Sequence, residues 1–195
     1  MKNMKKYTFL IASLFLLGGC AANQTVRQLE TQPLQGERQV VKISADQAAP
    51  GFGDLQLSLE LKTRNHGTLL FDTAGYGTEK YALLVRVNGK PLQVAGGMTG
   101  ETGDYRGSRD PEAGNGVRYR FATTLRLPVG MHTLICELPG EGVVFEQQVV
   151  VGEGVNRLKL QPVYKRKDSH RLIGFYGDTT YYEGVRRLTV AGSGA

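Results

Sequence analysis

Apolar and polar residues alternate in short runs along most of the chain after residue 39. In the run DLQLSLELK every second position is a leucine, namely Leu55, Leu57, Leu59 and Leu61. Successive side chains of a β-strand point to opposite faces, so this alternation predicts a strand with one buried face. VRYRFATTLRL has the same form, with Tyr119 and Phe121 on one face and Arg118 and Arg120 on the other.

Short turn-forming segments separate these runs. Asn88-Gly89, between YALLVRV and KPLQV, is typical of a two-residue β-hairpin. PVG, PGEG and GEG separate the next four runs, which predicts an antiparallel meander. No run after the N-terminal region keeps a 3.6-residue period, so we expect little helix. The pattern therefore predicts an all-β fold, a single Ig-like β-sandwich of mostly antiparallel strands over residues 39–195.

The N-terminal residues follow a different pattern. Lys2, Lys5 and Lys6 precede an apolar run that ends at Leu17, which is shorter than the roughly 20 residues a transmembrane helix needs. A basic start followed by a short apolar run is typical of a secretory signal. The run ends in Leu17-Gly18-Gly19-Cys20, which resembles the lipobox of bacterial lipoproteins.

This resemblance implies a signal peptide at residues 1–19 and a lipid-modified Cys20 at the start of the mature chain. Residues 20–38 are polar and rich in Gln, and we interpret them as a flexible tether that spans roughly 20–25 Å. Ala21 follows the cysteine where lipoproteins retained in the inner membrane tend to carry Asp. We therefore expect a cell-envelope protein at the outer membrane, facing the periplasm or the cell surface.

Charge and cysteine content narrow the function further. The full chain has a net charge of +6, which falls to about +3 when the three lysines leave with the signal peptide. A nucleic-acid partner is not expected at this charge. Lipidation would occupy Cys20 and leave Cys136 without a disulfide partner. Cys136 shares a predicted strand face with Leu134 and Leu138, so we expect it in the core.

Residues 125–164 carry a second resemblance, to the PEGA-type module of exported bacterial proteins. Its carriers are turn and core positions: Pro128, Gly130, His132, Gly152, Asn156, Leu158 and Leu160. The resemblance implies a compact β-sandwich used for envelope interactions, with no catalytic residues to transfer to this chain.

The segment 96–116 is glycine-rich and contains five residues with side-chain oxygen ligands: Glu101, Asp104, Asp110, Glu112 and Asn115. Such groups suit a calcium ion, but their spacing differs from that of the EF-hand loop. Arg106 and Arg109 lie among the acids and would neutralise them without a metal. We favour a mobile or self-paired loop, with a partner-binding loop and a metal site as alternatives.

Aromatic, basic and histidine residues supply the remaining candidates. Tyr176, Tyr181 and Tyr182 form a possible ligand-binding group, although we expect at least two of the four rings, those of Phe175 and the three tyrosines, to pack in the core. The basic stretch Lys165, Arg166, Lys167 and Arg171 is interpreted as a solvated loop, or else as a contact for anionic lipid. The histidines, His66, His132 and His170, share no short metal-ligand spacing, so structural roles are expected.

These features favour a membrane-anchored, non-catalytic lipoprotein that binds or supports another envelope protein, with no cofactor and no metal. The first alternative is a carbohydrate-binding module for peptidoglycan or surface polysaccharide, using Tyr176, Tyr181 or Tyr182. A metal-dependent enzyme built on the acids of residues 101–115 is the second, less favoured alternative.

Overall fold

The computed structural model describes residues 50–68, 73–168 and 172–192. They contain two single-turn 3-10 helices, Pro139–Glu141 and Tyr181–Glu183, and nine strands. The strands are β1 (Phe52–Thr63), β2 (Leu83–Val87), β3 (Lys90–Val94), β4 (Gly96–Glu101), β5 (Gly116–Pro128), β6 (Gly130–Leu138), β7 (Val143–Val151), β8 (Gly154–Tyr164) and β9 (Val185–Val190). The predicted signal peptide, Cys20 and the predicted tether lie outside the described residues.

The strands form two sheets that pack face to face. Sheet A has the order β4-β5-β1-β8-β9, and sheet B has the order β3-β2-β6-β7. Every pairing is antiparallel except that of β1 with β8. The predicted all-β sandwich of mostly antiparallel strands is confirmed.

The predicted four-strand meander is wrong. Of the four strands β5 to β8, only β6 and β7 are neighbours in one sheet. The connections from β5 to β6 and from β7 to β8 pass from one sheet to the other. Short connectors serve both kinds of link, so their length did not distinguish them. The β7–β8 connection requires a glycine at residue 53 of β1, because a Cβ there would lie 2.0 Å from the carbonyl oxygen of Gly152.

The core follows the predicted alternation. The four leucines of β1 are at most 3% exposed, and Tyr119 and Phe121 of β5 are also buried. Leu134, Cys136 and Leu138 of β6 join the same cluster from sheet B. The strand assignment of Cys136 and its burial are therefore confirmed.

The first part of the predicted loop 96–116 is a strand. Residues Gly96–Glu101 form β4, which pairs with β5 at the edge of sheet A. Glycine generally disfavours strands. At Gly96, however, a larger residue would not fit, because a Cβ there would lie 2.7 Å from the Phe121 ring. The loop itself is residues 102–115.

The two ends of the sandwich differ. At the short-turn end, the connections are Asn88-Gly89, Val129 and Gly152-Glu153. Asn88 and Gly89 both have positive φ, 48° and 82°, which confirms the predicted hairpin. At the opposite, long-loop end, the described parts of residues 64–82 and 165–184, together with loop 102–115, cover the strands.

Candidate functional site

A network of paired charges lies at the long-loop end, between sheet A and loop 102–115. Lys62 at the end of β1 and Arg118 at the start of β5 point away from the core, and they are neighbours in the strand register. Loop 102–115 covers Lys62, which is only 3% exposed. Its Nζ donates to the carbonyl oxygens of Glu112 and Gly114 at 3.0 and 2.6 Å.

Two carboxylates neutralise these cations. Glu101 accepts from Nε and Nη2 of Arg118 at 2.5 and 3.1 Å, and it lies 3.0 Å from Nζ of Lys62. Glu112 accepts from Nη1 of Arg118 at 2.7 Å. Arg118 therefore contacts Glu101 at the end of β4 and Glu112 in the loop at the same time.

Tyr164 and Tyr181 complete the network from the β8–β9 side. The Tyr164 hydroxyl donates to Oε1 of Glu112 at 2.5 Å and accepts from the backbone N–H of Lys62 at 2.8 Å. The parallel ladder between β1 and β8 ends at Leu59 and Leu160, so this hydroxyl replaces a strand partner where the two strands diverge. The Tyr181 hydroxyl donates to the Asn115 carbonyl at 2.5 Å.

The electrostatics of the network follow from these contacts. The hydrogen bond from Arg118, with a further contribution from Lys62, lowers the pKa of Glu101 to about 2. The same pairing raises the pKa of Arg118. Burial raises the pKa of Tyr164, and the charge of Glu112 adds to the effect. Burial also raises the pKa of Tyr181 to about 12. At neutral pH Glu101 and Arg118 are therefore ionised, and Tyr164 and Tyr181 are protonated.

A second buried charge lies nearby at the same end. The side chain of Glu141 is fully enclosed, with Nζ of Lys165 at 3.1 Å and the Tyr81 hydroxyl at 3.4 Å. Burial, followed by the charge of Glu141, raises the pKa of Tyr81. This contact ties the β6–β7 turn to the segment after β8.

The acids proposed as metal ligands are directed at protein groups. Asp104 and Asp110 each accept a backbone N–H two residues later, from Arg106 and Glu112 respectively, and Asn115 accepts from Gly103. The description of this segment as a self-paired loop fits these contacts. The neutralising cations are Arg118 and Lys62, however, rather than the predicted Arg106 and Arg109. Within the described ranges, no group of three or more His, Cys, Asp or Glu residues is placed to hold a metal.

The candidate tyrosines lie in different surroundings. Tyr176 is 70% exposed, Tyr181 is buried and Tyr182 is half-buried. Tyr181 and Tyr182 belong to a 3-10 turn capped by the Thr180 side chain, and their rings are inclined at 74°. Phe175 is also buried, which confirms that at least two of the four rings pack in the core. The three tyrosines do not form one exposed, coplanar strip.

The basic stretch turns partly inward. Lys165 pairs with Glu141. Nζ of Lys167 donates to the Phe175 carbonyl at 2.5 Å and lies over the aromatic ring of the same residue. Arg166 is exposed and forms an isolated bridge with Thr179. Arg171 lies outside the described residues.

His132 has a structural role at the short-turn end. Its Nε2 donates to the Pro128 carbonyl at 2.7 Å, and its Nδ1 accepts from the Asn88 amide at 2.9 Å. One neutral tautomer satisfies both contacts, so the ring joins the β2–β3 hairpin to the β5–β6 corner. His66 is exposed in a turn, as expected, and His170 lies outside the described residues.

Cys136 is fully buried. Burial, with a smaller contribution from Glu137, raises its pKa to about 12. A thiol in this environment is inert, because the thiolate is the reactive form.

An open groove of about 590 Å³ runs between β7 and β9, the facing edges of the two sheets. Phe145 and Gln147 line it from β7, and Leu188 and Val190 line it from β9. This groove was not predictable from the sequence pattern, because the predicted meander placed β7 inside a sheet. Lys62, Arg118 and Tyr164 were not predicted as site residues either, and of the three only Arg118 lies close to the acid-rich loop in the sequence.

Comparison with known proteins gives no match: no family model, no curated protein and no solved structure is significantly similar to this chain. In the described segments there is no apolar helix of membrane-spanning length.

Proposed function

We propose that this protein is a membrane-anchored, non-catalytic lipoprotein of the cell envelope. Its β-sandwich serves as a binding or structural module for another envelope protein, at the outer membrane. The observation that carries the proposal is the lipobox, Leu17-Gly18-Gly19-Cys20, directly after a basic and apolar signal segment. Attachment of several acyl chains would hold the protein at the bilayer, because each buried methylene contributes about 0.8 kcal/mol.

The geometry of the sandwich is in keeping with a module of this kind. At the long-loop end, the enclosed side chains of Lys62 and Glu141 and the half-buried Glu101 and Glu112 are engaged by partners within the fold, so their charges stabilise the loops. The thiol of Cys136 is enclosed. Among the features that the described surface offers to other molecules are the edge strand β7 and the groove beside it.

The anchor is tested with the Cys20→Ser variant. We expect it to remain an unprocessed precursor or to leave the membrane fraction, and to lose incorporation of labelled palmitate. Cys136→Ala is the matched control, because it removes the other cysteine and leaves residue 20 available. Mass spectrometry that finds an unmodified Cys20 in the mature, membrane-bound product would contradict the proposal.

The carbohydrate alternative retains one supporting observation, the exposed ring of Tyr176. Retention of the protein on purified peptidoglycan, lost in Tyr176→Ala, would favour it over a protein partner. The burial of Tyr181 removes that ring from any such surface.

A further inference from the structure

Among the described strands, β7 differs from the other three strands at sheet edges. β3 carries Lys90 and Pro91, β4 contains three glycines, and β9 exposes Arg186 and Arg187. Proline, glycine-weakened pairing and cationic side chains are common means of preventing strand addition at an edge. β7 has nine residues, VVFEQQVVV, with one charge and with no proline or glycine.

The exposed side chains of β7 are apolar at both ends of the strand. Val144 is 66% exposed and Val150 is 74% exposed, both on the outer face of sheet B. On the inner face Phe145 is half-buried and borders the groove toward β9. β7 has no second partner among the described strands, and an edge strand with exposed β-branched side chains is suited to pairing with another strand.

The sequence of β7 is nearly symmetric about Gln147. When it is reversed onto itself with Gln147 opposite Gln147, apolar residues meet apolar residues and polar residues meet polar ones. The opposed pairs are Val143 with Val151, Val144 with Val150, Phe145 with Val149, and Glu146 with Gln148. Glu146 meets an amide, so like charges are not directly opposed. A shift of two residues would place Glu146 opposite Val150 in one direction, and opposite Glu146 of the second copy in the other.

The same register suits the backbone. Along an edge strand, alternate residues direct their N–H and C=O groups outward. In a pairing centred on Gln147, odd residues lie opposite odd residues and even residues opposite even ones. The outward-directed groups of both strands therefore meet.

We propose that β7 pairs antiparallel with β7 of a second copy of this chain, in register about Gln147. The two four-stranded sheets then become one eight-stranded sheet, and the same surface is used on both copies, as a two-fold axis requires. The pairing covers Val144 and Val150 of each copy. It does not depend on the membrane anchor.

Single-cysteine crosslinking tests the register. We use the full chain in the Cys20→Ser background, where the remaining native thiol, Cys136, is buried. Gln147→Cys places two thiols opposite each other across the two-fold axis, where Cβ atoms of opposed residues are about 4.5–5.5 Å apart. We expect most of the chain to form a disulfide-linked dimer under mild oxidation.

Val144→Cys and Val150→Cys are the matched controls. Each lies opposite the other residue, and six residues, or about 20 Å, separate it from its own equivalent. Neither variant alone should crosslink, whereas the double variant should. Absence of the Gln147→Cys dimer, or equal crosslinking of Val150→Cys, would overturn the proposal and leave the edge to another chain or to residues 39–49.

Charge variants provide a second measurement with the same readout. Adding Val144→Lys and Val150→Lys to Gln147→Cys opposes lysine to lysine twice, and we expect the dimer yield to fall several-fold. Adding Val144→Glu and Val150→Lys instead opposes unlike charges and should restore it. These side chains are exposed, so folding should persist. Equal yields in the two variants would contradict the register.

Discussion

Lys62 and Arg118 illustrate how a single residue can change role when a loop covers it. Both point away from the core, as the alternation of their strands requires, yet Lys62 is almost fully enclosed. Arg118 makes hydrogen bonds to Glu101 and Glu112 at once. Hydrogen bonds to charged groups contribute more than neutral ones, about 1.5–3 kcal/mol each. The acids of this loop are thus part of what holds it on the sheet.

We expect Glu101→Gln to lower the free energy of unfolding at neutral pH and to matter less in acid. The folded-state pKa of Glu101 is about 2, below its ordinary value of 4.5, because Arg118 stabilises the carboxylate. Such a group stabilises the fold above its unfolded pKa, and that stabilisation is lost as the pH falls through the folded pKa. Urea unfolding from pH 7 to about pH 2 measures the difference between wild type and variant.

Asp54→Asn is the control for this measurement. Asp54 pairs with Arg126 at 2.9 Å, which lowers its pKa too, but it lies at the other end of β1. Adding Glu101→Gln to Asp54→Asn should still produce the same pH-dependent difference in the free energy of unfolding. A difference that stays constant between pH 7 and pH 2 would show that the carboxylate charge of Glu101 contributes nothing.

At the scale of the strands, the lack of a side chain at Gly53 of β1 leaves room for the β7–β8 connection, which passes from one sheet to the other. We expect Gly53→Ala to destabilise the protein by about 3 kcal/mol or more, because the added Cβ would overlap the backbone oxygen of Gly152. Gly97→Ala in β4 is the control, since its Cβ would have its nearest neighbour at 3.9 Å. Chemical unfolding of both variants gives the comparison, and equal stabilities would contradict the close approach.

The strands that could be predicted from sequence are those whose structure is determined locally. Leucine alternation predicts β1, and Asn88-Gly89 predicts the β2–β3 hairpin, because both depend on neighbouring residues alone. β4 was missed because its glycines have weak strand propensity, and its pairing with β5 is a tertiary effect. The parallel pairing of β1 with β8 joins residues about 100 positions apart, and no local pattern encodes it.

The candidate site was predictable only in part, for the same reason. The acid-rich loop was visible, and so was the expectation that its charges are paired within the protein. The identity of the paired cations was not, because Lys62 and Arg118 belong to strands on which outward residues usually face solvent. The different exposures of Tyr176, Tyr181 and Tyr182 were not predictable either, because they depend on tertiary packing and on a 3-10 turn that the Thr180 side chain caps.

At the scale of the whole molecule, the core between the sheets encloses one thiol, that of Cys136. In the Cys20→Ser full chain, Cys136 is the remaining cysteine, and its side chain is fully buried between the sheets. We expect a maleimide to label it about 10³-fold or more slower in the native than in the urea-unfolded protein, because access requires unfolding that costs about 5 kcal/mol or more. Rapid labelling of the native protein would show that sheet B opens independently.

The position of the first described residues determines how a pair of molecules would be attached. The Gly51 carbonyl accepts from Val129 at 2.9 Å, next to Gly130, which pairs with the last residue of β7. In two copies joined antiparallel, these entry points would lie at opposite ends of the shared sheet, about one strand length or 30 Å apart. In a pair that is anchored through both chains, the two tethers would therefore leave from opposite ends of the shared sheet.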